Sequence, residues 1–199
     1  GFDVDAVRAR FPALARDLVY LDGPGGTQVP QTVIDAVAGY LRESNANTGG
    51  EFETGRRTDR LIADARIAAG GFLGCAPEEV VFGQNMTTLT FHVARAIGRR
   101  LGPGDEIVVT ELDHHANVAP WRALVPERGV TVRTVRMDPA SAQLDWDDLE
   151  RSIGPRTRVV AVGAASNALG TITDGRRATR LAHAVGALAF VDAVHYAPH

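Results

Sequence analysis

The sequence contains no lysine, because all 21 of its cationic side chains are arginine. Chance does not explain a composition this far from the ordinary, and a strong genomic bias towards arginine codons is the simplest cause. Arginine stays protonated and does not form a Schiff base. These residues alone therefore cannot complete a mechanism that needs a nucleophilic lysine.

Cysteine is nearly absent too, since Cys75 is the only one. A single cysteine excludes an intrachain disulfide and a multi-cysteine zinc site. There is no apolar run of membrane-spanning length, and the first residues lack the pattern of a signal peptide. A net charge of −3 lacks the basic surplus of nucleic-acid-binding domains. We therefore expect a cytoplasmic globular protein that binds neither nucleic acid nor a membrane.

The second half of the chain alternates between apolar runs typical of strands and amphipathic segments typical of helices. The predicted strands are residues 80–82, 106–110, 130–135, 158–162 and 187–191. The predicted helices are residues 87–100, 118–125, 146–153 and 176–185. This alternation indicates βαβ units and an α/β fold with a mostly parallel sheet. The chain opens without methionine and stops after a predicted buried strand, so we expect a fragment of a longer protein.

The first part of the chain is predicted to be more irregular. Residues 18–21 are a short strand candidate, and Pro30 is well placed as the first residue of a helix to about residue 43. Residues 44–55 are polar and rich in glycine, which predicts a long loop with a functional role. A helix is predicted to follow over residues 57–74.

In an open parallel sheet, ligands bind beyond the carboxyl ends of the strands, and polar clusters follow four of the predicted strands. Thr87 and Thr88 open a helix, where backbone amides and hydroxyls suit a phosphate; the alternative is that one threonine only caps the helix. His114 and His115 could stack on a ring, transfer protons or bind a metal, or they could be surface histidines.

Asp192 ends an apolar strand, where its carboxylate could pair with a protonated ring nitrogen or cap the following turn. Asn167 lies in a loop of small residues, and no G-x-S-x-G elbow surrounds Ser166, which argues against a hydrolase serine. His195 and His199 are four residues apart, but Pro198 argues against a helix there, and no metal site is predicted.

The segment Asp113-His114-His115 also resembles the signature of the DHH phosphoesterases, which use metal ions. That alternative needs further aspartates arranged for two metals, as in a DxD pair at a strand end. Asp3 and Asp5 are the only such pair upstream, and they lie at a predicted helix start.

Taken in order, the motifs resemble the class V aminotransferase family of pyridoxal phosphate (PLP) enzymes, and within it the cysteine desulfurase and selenocysteine lyase branch. The matching segments cover nearly the whole chain: YLDGPGGTQVP, NAN at 45–47, VVFGQNMTTLT, GDEIVVTELDHHANVAPW, TRVVAVGAASNALGTI and LAHAVGALAFVDAVHYAPH. The resemblance implies the three-layer αβα large domain of fold type I PLP-dependent transferases, truncated here. It assigns residues 46–199 to that PLP-binding domain and residues 1–45 to an N-terminal arm of the small domain.

The resemblance also implies roles for individual residues. Thr87 and Thr88 would hold the cofactor phosphate, and His114 would stack on the pyridine ring and assist proton transfer. Asn167 would lie beside the phenolic oxygen of the ring, while Asp192 would keep the pyridinium nitrogen protonated. His195 stands where the desulfurases usually have a glutamine that contacts the phenolic oxygen, which puts desulfuration itself in doubt.

The covalent lysine of the family would lie some tens of residues past His199. Its nucleophilic cysteine and its carboxylate-binding arginine also belong to the C-terminal part, and Cys75 matches neither position. We therefore expect a fragment of a homodimeric PLP enzyme, a transferase or lyase acting on an amino acid. The alternative is a non-catalytic member of the family that serves as a binding or scaffold protein.

Overall fold

The structure is a computed structural model of residues 1–199, which form two compact units, Gly1–Phe82 and Gly83–His199. The predicted boundary after residue 45 falls inside the first unit, and the assignment of residues 1–45 to a small domain stays a prediction. No helix in either unit combines the length and the apolar character needed to cross a membrane.

The first unit is helical. It contains α1 (Val4–Arg8), α2 (Gln31–Glu43) and α3 (Glu53–Leu73), with 3₁₀ turns at Pro12–Ala15 and Pro77–Glu79. The predicted strands at 18–21 and 80–82 were wrong, because neither segment has a neighbouring strand with which to hydrogen-bond. Helix α3 begins before its predicted start, so the predicted loop at 44–55 is shorter than expected.

Polar contacts hold this shortened loop against α3. The Tyr40 hydroxyl lies 3.1 Å from Thr58 Oγ1, and both hydroxyls donate to the carbonyl oxygen of Ala46. The Asp59 carboxylate accepts from the backbone N–H of Gly49. The loop is therefore ordered by side chains from the two helices that it connects.

Apolar side chains of the first unit are largely exposed. Of the buried hydrophobic residues of the chain, only Val80 belongs to this unit. Helices α2 and α3 are amphipathic, yet their apolar faces carry exposed side chains such as Val37, Leu41, Ile67 and Phe72. Exposed apolar surface of this extent is typical of a face that another protein surface covers.

The second unit contains a parallel sheet of four strands in the order β2-β1-β5-β6. Its strands are β1 (Glu106–Thr110), β2 (Thr131–Val135), β5 (Thr157–Gly163) and β6 (Leu188–Asp192), and a small antiparallel pair, β3 (Met137–Asp138) and β4 (Gln143–Leu144), lies between β2 and β5 in sequence. Strand β1 is buried along its whole length, as its continuous apolar run predicts. The predicted α/β fold with a parallel sheet is confirmed, whereas the β3–β4 pair was not predicted.

Helices cover both faces of this sheet. They are α4 (Met86–Gly98), α5 (Ala119–Arg122), α6 (Leu124–Arg128), α7 (Trp146–Ser152) and α8 (Gly175–Ala184). Val108 of β1 packs with residues of α7 and α8, while its neighbours Ile107 and Val109 pack with residues of α4, α5 and α6. The period-two alternation of β1 thus serves two separate cores, and the unit has three layers.

Each core has one tryptophan. The fully buried Trp121 contacts Phe190 edge to face, with ring centroids 5.3 Å apart, on the side of α4. Trp146 packs against the opposite core, and the guanidinium of Arg177 lies 4.4 Å from the centroid of its ring.

Candidate functional site

The strand order places a topological switch point between β1 and β5. The chain passes from β1 to β2 on one side and later to β5 and β6 on the other. Residues 111–117, 164–167 and 193–195 follow the carboxyl ends of β1, β5 and β6, which lie at one edge of the parallel sheet. The structure thus brings the loops of four sequence-predicted residues to the edge where such sheets bind ligands: His114, Asn167, Asp192 and His195.

Asp192 uses one carboxylate oxygen within the chain and leaves the other free. Its Oδ1 accepts from the backbone N–H of Val194 at 3.1 Å, so one oxygen caps the turn that follows β6. Its Oδ2 has no hydrogen-bond partner within the chain, and the side chain is only half-buried. A free carboxylate oxygen at this edge suits a cationic N–H donor.

His114 is exposed and is held at one ring nitrogen. Its Nδ1 accepts from the backbone N–H of Ala116 at 3.1 Å, at the start of the 3₁₀ turn His115–Asn117. An accepting Nδ1 assigns the proton of the neutral ring to Nε2. The ring is therefore fixed on one side and open on the other, while His115 is also exposed.

Asn167 and His195 are half-buried, and neither side chain makes a hydrogen bond within the chain. Asn167 lies in a turn closed by the bond from Gly170 N–H to the Ser166 carbonyl oxygen, at 3.0 Å. His195 lies in the turns after β6, where Ala193 accepts from two backbone amides. Both loops are ordered by backbone bonds, which leaves the two polar side chains available.

Thr87 and Thr88 lie in the first turn of α4, but neither caps it. Asn85 is the cap, because its Oδ1 accepts from the backbone N–H of Thr88 at 2.9 Å. The backbone N–H groups of Met86 and Thr87 have no acceptor within the chain, and neither threonine hydroxyl makes a hydrogen bond there. The far end of α4 leads into the start of β1, so its first turn points towards the carboxyl edge of the sheet. Free amides and hydroxyls at the start of a helix fit a phosphate.

Asp113 also lies at this edge of the sheet. The sequence analysis did not predict that it lies near Asp192. It accepts from the Thr110 hydroxyl and from Asn117 Nδ2. Burial raises the pKa of Asp113 to about 6; the two hydrogen bonds act in the opposite direction, and the negative charge of Asp192 raises it further. The signal in the sequence was the pair of hydrogen-bonding residues that flanks Asp113 at i−3 and i+4.

Taken together, these groups fit a PLP cofactor. The start of α4 offers an anion site, Asp192 offers an acceptor for the pyridinium, and His114 offers an exposed ring that is held only at Nδ1. Nowhere in residues 1–199 do three or more His, Cys, Asp or Glu side chains come together as a metal-ion site would require. The six predicted residues thus stay the proposed site, with Asp113 beside them.

A large cavity borders the same edge of the sheet. It has a volume of about 900 Å³ and runs along β6 and α8, where Thr173, Arg176 and Tyr196 are among its lining residues. None of the six predicted residues lines it. The cavity flanks the unpaired outer edge of β6, and Ala164 and Ala193, which belong to the loops of Asn167 and His195, also line it.

Comparison with known proteins identifies the family of the chain independently of the site geometry. The model of the aminotransferase class-V family matches residues 19–199. A probable cysteine desulfurase of Mycobacterium leprae is 37% identical over all of this chain and 34% of its own length. A probable cysteine desulfurase of Methanothermobacter thermautotrophicus is 40% identical over 97% of this chain and 47% of its own length.

A solved structure shows the same relationship. The cysteine desulfurase CsdA of Escherichia coli superposes with a TM-score of 0.87 and 31% identity, over all of this chain and 50% of the other. The chain thus spans between a third and a half of the length of these relatives.

Proposed function

The chain belongs to the aminotransferase class-V family, and on that premise we propose that it is the cofactor-binding part of a PLP enzyme that acts on an amino acid. PLP is the cofactor of this family, and when bound it supplies an electron sink for breaking bonds of an amino acid. The observation that carries the proposal is the free Oδ2 of Asp192 at the carboxyl edge of the sheet. The family match also favours this function over the metal phosphoesterase alternative.

Each site residue has a part in this proposal. The first turn of α4, with Thr87 and Thr88, binds the phosphate through free amides and hydroxyls. Asp192 accepts a hydrogen bond from the ring nitrogen and holds its proton there. Placement of a carboxylate at that nitrogen keeps the ring cationic, which is the state in which it withdraws electrons.

The remaining residues orient the ring and move protons. His114 stacks on one face of the ring, and its Nε2 side is free for proton transfer. Asn167 and His195 contact the phenolic oxygen with side chains that no intrachain bond occupies. The imidazole of His195 replaces the glutamine that is usual in desulfurases. A panel of amino acids is therefore needed to identify the substrate.

Location and assembly belong to the proposal as well. The single free cysteine suits a reducing compartment such as the cytoplasm. The exposed apolar faces of α2 and α3 suit coverage in a larger assembly, for which we propose a homodimer of the complete protein.

The test is a PLP titration of the complete protein, followed by a panel of amino acids. We expect an absorbance band of bound PLP that shifts when cysteine, selenocysteine or another amino acid is added, with product release measured for each. Borohydride reduction followed by peptide mapping would locate the covalent lysine outside the present sequence. Failure to bind PLP would contradict the proposal, and binding without reaction with any amino acid would favour the non-catalytic alternative.

A further inference from the structure

The Asp113 carboxylate closes the loop between β1 and the 3₁₀ turn His115–Asn117. Its Oδ2 accepts from the hydroxyl of Thr110, the last residue of β1, and its Oδ1 accepts from Asn117 Nδ2 at 2.9 Å. The backbone N–H of Leu112 donates to the same Thr110 hydroxyl, at 3.2 Å. One carboxylate thus ties both ends of the loop that contains His114.

Both anchors of this carboxylate are rigid. Thr110 is 3% exposed and Asn117 is fully buried. Asn117 Oδ1 has no partner, so the bond from Nδ2 to Asp113 is the only side-chain hydrogen bond of this buried amide. Loss of the carboxylate would leave the amide without any side-chain partner, which favours rearrangement of the loop.

Strand β5 confines the carboxylate from the other side. A Cβ atom on Gly163 would lie 2.9 Å from Asp113 Oδ1, a separation that real side chains do not adopt. Gly163 is the register partner of Asp192 across the β5–β6 pair. Asp113 therefore lies between the ends of β1 and β5, one strand from the proposed partner of the ring nitrogen.

The His114 side chain makes few contacts that could fix the orientation of its ring. The bond from Ala116 N–H to Nδ1 is its only side-chain hydrogen bond, and the side chain is exposed. The direction of the ring therefore depends on the backbone of residues 113–116, and that backbone is held by the carboxylate next to it.

We propose that Asp113 is a positioning residue that orients the His114 ring by tying its loop to Thr110 and Asn117. The expected effect of Asp113 on PLP binding rests on the proposed function. The orientation of the His114 ring is a property of the chain without a cofactor. At neutral pH the carboxylate is ionised and accepts both bonds, since burial raises its pKa only to about 6.

The first measurement reads the His114 ring in the complete protein without PLP. Long-range ¹H–¹⁵N correlation spectra report the tautomer of each histidine, and a His114→Gln variant assigns the relevant signal. We expect the Nε2–H tautomer in the wild type and a mixture of tautomers in Asp113→Ala. In Asp113→Asn the amide can accept from Asn117 and donate to Thr110, so this variant should restore the wild-type tautomer.

A matched control separates positioning from general stability. Asp145→Ala also removes a carboxylate that accepts a backbone bond, from Asp148 N–H at 2.8 Å, but at the start of α7. It should leave the His114 signal unchanged. If Asp113→Ala does not fold, Thr110→Val removes one of the two bonds and should also yield the tautomer mixture.

The second measurement is the dissociation constant of PLP. We expect it to rise about 10-fold in Asp113→Ala and to stay within about 3-fold of the wild type in Asp113→Asn, because a loosened loop must be ordered on binding. A wild-type tautomer in either Asp113→Ala or Thr110→Val would overturn the inference. A wild type that does not bind PLP would contradict the proposed function alone, since the tautomer measurement needs no cofactor.

Discussion

The acids at the amino end of β1 and the acids of the candidate site at the carboxyl edge differ in their partners. At the amino edge, the buried carboxylate of Glu106 pairs with Arg133 and Arg156, each at 2.7 Å, and Arg158 pairs with Asp105 at 2.8 Å. At the carboxyl edge, no arginine pairs with Asp113 or Asp192. The arginines of this lysine-free chain thus pair with the two acids at the amino end of β1 and not with the two acids of the candidate site.

The pKa values follow this division. The hydrogen bond from Arg133 lowers the pKa of Glu106, and the charges of both arginines lower it further against the effect of burial. Burial raises the pKa of Asp113 to about 6, and the like charge of Asp192 adds to the effect. Charge at the amino edge therefore stabilises the fold, while charge at the carboxyl edge is retained at a cost that a cationic ligand would offset.

The largest effect is expected for Asp192→Asn, which removes the charge but not the shape. The amide cannot hold a proton on the ring nitrogen, so kcat of the complete enzyme should fall by about 100-fold or more. Thermal stability should change little, because Asp192 has no ionic partner to lose. Asp174→Asn, at the cap of α8, is the matched control and should keep its activity; equal losses in both variants would show that the loss is not specific to the Asp192 carboxylate.

A smaller effect, on stability, is expected for Glu106→Gln. The loss of charge-assisted bonds to two arginines should lower the free energy of unfolding by about 2 kcal/mol at pH 7. Because the pKa of Glu106 is lowered in the fold, this stabilisation is present above pH 4.5 and is lost as the pH falls through the folded value. Urea unfolding at several pH values measures this, and a pH-independent difference would argue against the ion pairs.

The smallest effect is expected for Asp113→Asn, and its dependence on pH is opposite to that of Glu106→Gln. Because the pKa of Asp113 is raised, its contribution to stability is present below its usual value of 3.8 and is lost as the pH rises through about 6. Between pH 5 and pH 7 the wild type should therefore lose about 1 kcal/mol relative to the variant. The same urea series measures this, and a parallel pH dependence of the two proteins would remove the contrast with Glu106.

The parallel sheet was predictable because its central strands are apolar runs and helical patterns separate all of its strands. The central strands at 106–110 and 158–162 were found to within a residue, since burial on both faces leaves a strong signal. The predicted strands at 18–21 and 80–82 carry the same kind of apolar run, yet they pair with nothing. Local sequence records that a segment is apolar and does not record whether a partner strand is available.

The candidate site was predictable in its residues and not in its local bonds. The threonines were considered as helix caps, whereas the structure uses Asn85, which precedes them and is an equally good capping residue. Asp113 was considered only within a metal motif, because its burial and its nearness to Asp192 arise from the pairing of β1, β5 and β6. Such long-range proximity leaves no trace in the spacing of residues along the chain.

The division of the second unit into two cores has a practical spectroscopic consequence. Trp121 and Trp146 are the only two indoles of the chain, and each belongs to a different face of the sheet. Trp121 is sealed from solvent, whereas Trp146 lies beneath the cationic guanidinium of Arg177. With one of them replaced by phenylalanine, fluorescence would follow the loosening of each helical layer separately, which would show whether the two faces melt together.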